Sequence, residues 1–220
     1  MCRPAATAEA VTDPQAVIER HDRALAACDR LIASGGLAGE ALADALLTRA
    51  DLLAPGAGDR YRRALADYDR AIALQPQAAA GYARRSKAHL LYMRDLERAL
   101  RDIDRAIGLD ASNADFLVTR ASIRSSLGQP RAALVDLDRA IALAPDLEHA
   151  WSLRGLTRLG LDEWKPALAD FDEAVRLSPR SPDNYLFRAD VRRRLGDAEG
   201  AQRDRETAMK LLAQDLPATR

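Results

Sequence analysis

RALADYDRAIALQP (63–76), RALRDIDRAIGLDA (98–111), AALVDLDRAIALAP (132–145), PALADFDEAVRLSP (166–179) and the degraded GAQRDRETAMKLLA (200–213) are five copies of one block. Their anchor alanines, Ala64, Ala99, Ala133, Ala167 and Ala201, are spaced by 35 residues once and by 34 thereafter. A period of that size marks an array of small units, none of which can bury its apolar face alone. In the first copy Ala64, Tyr68, Ala71 and Ile72 form one stripe of a helix, with Asp67, Asp69 and Arg70 beside it. Proline cannot continue a helix, so Pro76, Pro145 and Pro179 mark its end.

The half of each unit that precedes the block is also helical. Residues 148–160 place Trp151, Gly155 and Arg158 on one face, and the matching pairs elsewhere are Leu46/Ala50, Tyr82/Ser86, Leu117/Ala121 and Tyr185/Ala189. The small member lets a neighbouring backbone approach, and the large one covers the gap. Turn signals at Gly128-Gln129-Pro130, Gly160-Leu161-Asp162 and Gly196-Asp197 divide the two helices. Ser181-Pro182 reads as an N-cap followed by proline in the first turn.

These residues resemble the tetratricopeptide repeat, whose pattern sets a large residue at position 4, a small one at 8, Ala at 20, an aromatic at 24, Ala at 27 and Pro at 32. Residues 148–181 match with Trp151, Gly155, Ala167, Phe171, Ala174 and Pro179. The resemblance implies an all-α, right-handed superhelical solenoid of antiparallel helix pairs, about eleven helices in all. The expected organisation is a tail (1–13), a capping helix that covers the first unit (14–36), repeats at 43–78, 79–113, 114–147 and 148–181, a degenerate C-terminal repeat at 182–215, and a tail at 216–220. Arg203, Arg205 and Lys210 give the last helix the polar face that a terminal repeat needs. The first unit is longer by two residues near Pro55–Gly58 and the second by one near Tyr92-Met93-Arg94; a loop between the helices is expected to absorb both.

Composition narrows the function. Lys+Arg and Asp+Glu are equal at 33, which speaks against nucleic acid and against an anionic membrane surface. Aromatics are only 5%, as suits close helix–helix packing. There is no apolar run of membrane-spanning length, residues 1–15 hold none of the length a secretory signal needs, and the two cysteines, Cys2 and Cys28, read as incidental or buried thiols in a reducing compartment. Cytoplasmic residence is the expectation. His21, His89 and His149 lack partners at metal spacing, the glycine pairs lack the Lys-Ser/Thr of a phosphate loop, and the repeats leave no segment for a catalytic domain. No enzyme activity, metal or cofactor is expected.

Position 7, usually Leu in this family, is Arg in every copy: Arg49, Arg85, Arg120, Arg154 and Arg188. Position 23 is Asp in every copy: Asp67, Asp102, Asp136, Asp170 and Asp204. Each Asp stands 18 residues before the next Arg, whereas the separation inside a unit runs from 18 to 16. These residues either form a ladder of partly buried ion pairs between neighbouring helices or are solvated surface groups repeated by duplication.

In the family, positions 2, 5, 9 and 12 of the first helices line a concave groove. Here the candidate partner-binding residues are Asp44, Leu47 and Asp51 in the first repeat, and Ala83, Lys87 and Leu90 in the second. They continue with Asp115, Val118 and Ser122, then His149, Ser152 and Leu156, and end with Asp183, Leu186, Asp190 and Arg193. The Lys at position 5 and Asn at position 9 that clamp acidic chaperone C-termini are absent; the first repeat has Leu47 and Asp51. The implied role is a non-catalytic protein–protein interaction module or scaffold whose groove takes a segment with apolar and basic side chains. A structural, oligomerising role is the alternative, and single-stranded RNA binding is the remote one.

Overall fold

A computed structural model describes residues 14–214, with side chains from residue 15. The expected tails 1–13 and 216–220, and Cys2 with them, lie outside the described residues. The described residues form eleven α-helices and one π-helical turn, with no strand. These are α1 (Pro14–Ala33), α2 (Gly39–Leu53), α3 (Asp59–Leu74), α4 (Ala79–Ala88) continued by the π turn (His89–Met93), and α5 (Leu96–Leu109). They continue with α6 (Ala114–Ser126), α7 (Pro130–Leu143), α8 (Glu148–Leu159), α9 (Trp164–Leu177), α10 (Pro182–Arg194) and α11 (Ala198–Gln214).

The chain divides into two compact bodies between Ala111 and Ser112. In the first, α1 packs on α2, α2 pairs with α3 and α4 with α5, and α3 packs on α4. In the second, α6 pairs with α7, α8 with α9 and α10 with α11, while α7 packs on α8 and α9 on α10. First helices of neighbouring repeats also touch: α2 with α4, α6 with α8, and α8 with α10.

The stripe read from sequence is the buried one. Ala99, Ile103, Ala106 and Ile107 are buried on α5, Ala133, Leu137, Ala140 and Ile141 on α7, and Ala167, Phe171, Ala174 and Val175 on α9. Burial of each large member contributes about 1.5–3 kcal/mol. Helix α1 keeps the same register with Ala24, Cys28, Leu31 and Ile32; Cys28 is wholly buried, and Leu25 and Ile32 pack on the core around Leu46, Ala50 and Tyr68.

Aromatic residues at position 4 tie adjoining repeats through the proline that ends the preceding second helix. The hydroxyl of Tyr82 donates to the Pro76 carbonyl at 3.4 Å, the indole of Trp151 to Pro145 at 2.9 Å, and the hydroxyl of Tyr185 to Pro179 at 3.1 Å. Where the terminal proline is missing, at Ala111, position 4 is the apolar Leu117.

One local expectation is corrected, that a loop takes up the extra residue of the second repeat. The two extra residues of the first repeat do lie in a loop, between Leu53 and Asp59, but the one extra residue of the second does not. It is taken up inside the helix as the π turn, capped by Arg94 in the left-handed region at φ 53°, whose amide donates to the His89 carbonyl. A π turn absorbs one residue while keeping the backbone bonded, and so needs no loop. In the Gly160-Leu161-Asp162 turn, Asp162 and not the glycine takes the left-handed conformation, at φ 59°; Gly128 and Gly196 take it in the sister repeats. Ser181 stands at the N-cap with Pro182 in the first turn, yet its side chain makes no capping bond; Asp95 and Asn113 do cap α5 and α6.

Gly155 is small because Phe171 is large: a Cβ at residue 155 would stand 2.9–3.1 Å from three atoms of the ring. The Gly155→Ala variant should therefore lose stability by about 1 kcal/mol, overpacking outweighing the gain in helix propensity. Phe171→Leu in the same chain should relieve the clash, so that a double-mutant cycle by urea unfolding reads a coupling of opposite sign. Additive effects would show that the ring does not dictate the glycine.

Candidate functional site

The repeated Arg and Asp are joined, and the partner is the Asp of the same repeat. Arg49 grips Asp67, Arg85 Asp102, Arg120 Asp136, Arg154 Asp170 and Arg188 Asp204, each through Nε and Nη2 at 2.6–3.2 Å. All five carboxylates are buried. The bond therefore locks the first helix of a repeat to its own second helix, whatever the loop length between them.

The remaining nitrogen, Nη1, makes the connection between repeats. It reaches a second Asp, at position 25 of the preceding helix: Asp138 for Arg154 at 2.7 Å, Asp172 for Arg188 at 2.9 Å, and Asp69 for Arg85. Arg49 reaches Asp29 of α1 at 2.8 Å. Helix α1 thus behaves as a second helix that has kept Asp29 for its successor, while Ala27 stands where the inward Asp would be. The Arg49 guanidinium is held above its ordinary pKa, chiefly by the hydrogen bond to Asp67. Arg154 and Arg188 also lie over the rings of Trp151 and Tyr185 in their own helices.

Position 11 was not singled out in the sequence, and it separates the repeats. In the second body Arg124, Arg158 and Arg192 give Asp136, Asp170 and Asp204 a further guanidinium at 2.7, 2.8 and 2.9 Å. In the first body the same position holds Leu53 and His89. His89 is buried, its Nδ1 is 3.1 Å from the Tyr61 hydroxyl, and its Nε2 is 4.0 Å from Asp102. A cavity of about 290 Å³ stands beside it, also lined by Leu65, Asp69, Arg85, Arg98, Arg101 and Asp102. Burial pushes the His89 pKa below its ordinary value despite Asp102 and Asp95, and burial pushes the Tyr61 hydroxyl up to about 12.

The wall expected from sequence is only partly open. Asp44, Asp51, Lys87, Asp115, His149, Asp183, Leu186 and Arg193 are exposed, and Ala83, Leu90, Ser122, Leu156 and Asp190 are half-buried. Leu47, Val118 and Ser152 are buried and present no surface to a ligand. Offsets along one helix do not reveal that first helices also touch one another; at position 5 only Ala83 and Leu186 keep appreciable exposed surface. Two acids of the wall are already engaged: Asp51 accepts from the Tyr68 hydroxyl at 2.7 Å and from Arg84 at 2.8 Å, and Asp190 accepts from Arg193 at 2.9 Å. Among the described residues, the side chains of Asp44, Lys87, Asp115 and Asp183 have no polar partner. No group of three His, Cys, Asp or Glu among the described residues is placed to hold a metal ion, and no described helix is long and apolar enough to cross a membrane.

Helix pairs stacked in this register, with Trp151, Gly155, Ala167, Phe171, Ala174 and Pro179 at fixed places in the pair, define a helical-repeat protein. The fold is that of the tetratricopeptide repeat, as likeness to solved structures shows. The chain is similar to YrrB, described as a tetratricopeptide-repeat protein with an unusual peptide-binding site (22% identity, 79% of this chain and 88% of that one, TM-score 0.60). It is similar also to the thermophilic repeat protein TTC0263 of Thermus thermophilus (22% identity, 80% and 93%, TM-score 0.64). MamA of Desulfovibrio magneticus RS-1, residue 41 to the end, is a further likeness (18% identity, 71% and 88%, TM-score 0.64). No protein-family model and no curated protein matches the chain in sequence.

Removing one partner of a buried pair leaves an uncompensated charge. Arg154→Leu should cost about 3 kcal/mol in urea unfolding, Asp170 keeping only Arg158. Breaking the exposed pair by Arg193→Leu should cost under about 1 kcal/mol. Equal costs would mean that burial does not distinguish the two kinds of pair.

His89 gives a pH dependence of defined sign. Its folded pKa lies below that of the unfolded chain, so its contribution is complete above the unfolded value of 6.5. As pH falls below that point the unfolded chain takes the proton first and stability drops, until the folded site titrates as well. Unfolding midpoints between pH 7.5 and 5.5 should therefore fall more steeply in the parent chain than in His89→Asn. Parallel slopes would show that His89 titrates alike in both states.

Proposed function

We propose that the chain is a non-catalytic interaction module that holds a peptide segment or partner protein against the exposed face of its first helices. The observation that carries this is the division of charge. The charges repeated in every copy are spent on buried pairs, whereas the first helices carry open charge in each body: Asp44 and Lys87 with Leu90 in the first, Asp115 and Asp183 with Leu156 and Leu186 in the second. YrrB, similar in fold, is described as having a peptide-binding site, and its likeness supports the reading. On the second body the open wall acids are Asp115 on α6 and Asp183 on α10, the latter one turn from exposed Leu186, which suits a segment with basic and apolar side chains. Cytoplasmic residence, consistent with the low cysteine content, is part of the proposal. An assembly role through the second helices is the other reading, favoured by exposed Val135 and Leu143 on α7.

The two readings are separated by titrating a labelled full-length chain with an acetylated, amidated nonapeptide centred on Lys-Leu-Lys and following backbone amide shifts. Shifts at Asp115, Asp183 and Leu186 are expected, together with a roughly threefold loss of affinity in Asp183→Lys. Shifts confined to α7 and α9 would overturn the proposal in favour of the second helices.

A further inference from the structure

The π turn gives the second repeat something that no other repeat has. Leu91, Tyr92 and Met93 are 54%, 44% and 57% exposed in consecutive positions. In the sister repeats the first helix ends at the corresponding point in a Gly or Asp turn, with no such apolar lip. The extra residue also carries Tyr92 into the lining of a pocket of about 400 Å³, which it shares with Asp51, Tyr68, Arg84 and Lys87. Tyr92 lies beyond the four wall positions that the repeat pattern supplies.

The charge of this pocket is the reverse of what sequence suggests. Asp51 is committed through both oxygens, one to Tyr68 and one to Arg84. Burial raises the Tyr68 pKa, so the hydroxyl remains protonated and continues to donate. Asp51 and Arg84 cancel each other's charge, and the Lys87 ammonium, exposed and without a polar partner among the described residues, is left over. A single ammonium beside an apolar lip is complementary to one carboxylate beside one large apolar side chain. A terminal carboxylate would call for more donors, but position 5 of the first repeat is the buried Leu47 and position 9 is the occupied Asp51.

We propose that this pocket binds an internal peptide segment that sets an Asp or Glu side chain against Lys87 and a large apolar side chain against Tyr92 and Met93. The inference rests on the reading of the chain as a peptide-binding module and names the partner chemistry of its N-terminal body. That body would select a segment of opposite charge to the one suited to the second body.

The test uses the full chain and three acetylated nonapeptides centred on Glu-Leu-Glu, Gln-Leu-Gln and Lys-Leu-Lys, titrated by fluorescence anisotropy. The Glu peptide should bind, with the Gln peptide about threefold weaker, as one exposed ion pair predicts. Lys87→Glu should remove that preference, and Tyr92→Ala should weaken the Glu peptide about tenfold, as loss of an aromatic anchor does. Both side chains are exposed, and unchanged thermal melts would show that the variants fold; Lys87→Gln and Met93→Ser give the same readings at smaller cost to local structure. Amidating the peptide's C-terminus should change nothing; a loss on amidation would mean that a terminal carboxylate is the group recognised, and would overturn the proposal. Equal affinity for Glu and Gln peptides, or insensitivity to Lys87→Glu, would do the same. If only the Lys peptide binds, and binds about threefold more weakly in Asp183→Lys, the interaction-module reading stands and this inference fails. If no peptide binds, both fail. A sedimentation mass that doubles with concentration and reverts in Tyr92→Ala would identify a second copy as the occupant, against the proposal.

Discussion

Five buried carboxylates have to be neutralised, and how each is neutralised governs the rest of the structure. Asp170 is 1% exposed, and a carboxylate so placed without a cation would ionise at prohibitive cost. Arg154 satisfies it with two parallel bonds, which fix distance and rotation together. Because Arg comes from the first helix and Asp from the second, the pair sets the register of the helix hairpin; apolar packing of Ala167 and Phe171 then fills the space so defined. The third bond, to Asp138, sets the next hairpin against the last. A desolvated ion pair adds little net stability, but a pair repeated at each step excludes slipped registers that an Ala- and Leu-rich interface would tolerate.

Departures from this scheme are concentrated in the first body. Leu53 and His89 replace the second guanidinium that Arg124, Arg158 and Arg192 supply elsewhere, so Asp67 and Asp102 are held by fewer donors than Asp136, Asp170 and Asp204. The π turn begins at the residue where that guanidinium is lost. With an arginine at position 89 reaching back to Asp102, the helix end would be tied; with histidine there, an added residue can widen the turn. His89 and the π turn both lie in the repeat that carries the apolar lip.

The helices, their buried stripes and the pairing of large and small residues were legible because they depend on period alone, and Ala99, Ile103, Ala106 and Ile107 show the period directly. The partner of each Arg was not. Asp at position 23 and Asp at position 25 both keep a constant distance to the next Arg, since no insertion falls between a second helix and its successor, so constancy could not choose between them. Geometry assigns the first to its own repeat and the second to the neighbour. The engagement of Asp51 was illegible for a different reason: its partner Arg84 lies 33 residues away, in another repeat. Likewise the burial of Leu47 follows from contact with a neighbouring helix, which offsets along α2 do not contain. The one extra residue could be counted, but whether it would form a loop or a π turn depends on tertiary packing.

The repeats themselves supply a criterion for separating structural charge from recognition charge. A group that must satisfy the same geometry in each hairpin is held constant from copy to copy, as Arg at position 7 and Asp at position 23 are. Positions 2 and 9 face no such requirement, and they vary: Asp44, Ala80, Asp115, His149 and Asp183 at the one, Asp51, Lys87, Ser122, Leu156 and Asp190 at the other. Variation alone would also arise from drift on a solvated face. What sets Lys87 apart is that its neighbours have already paired with one another, so the structure places a lone cation beside the only three consecutive exposed large apolar side chains among the described residues. Nothing in the stacking of helix pairs asks for that combination. A contact outside the hairpin is what would make use of it.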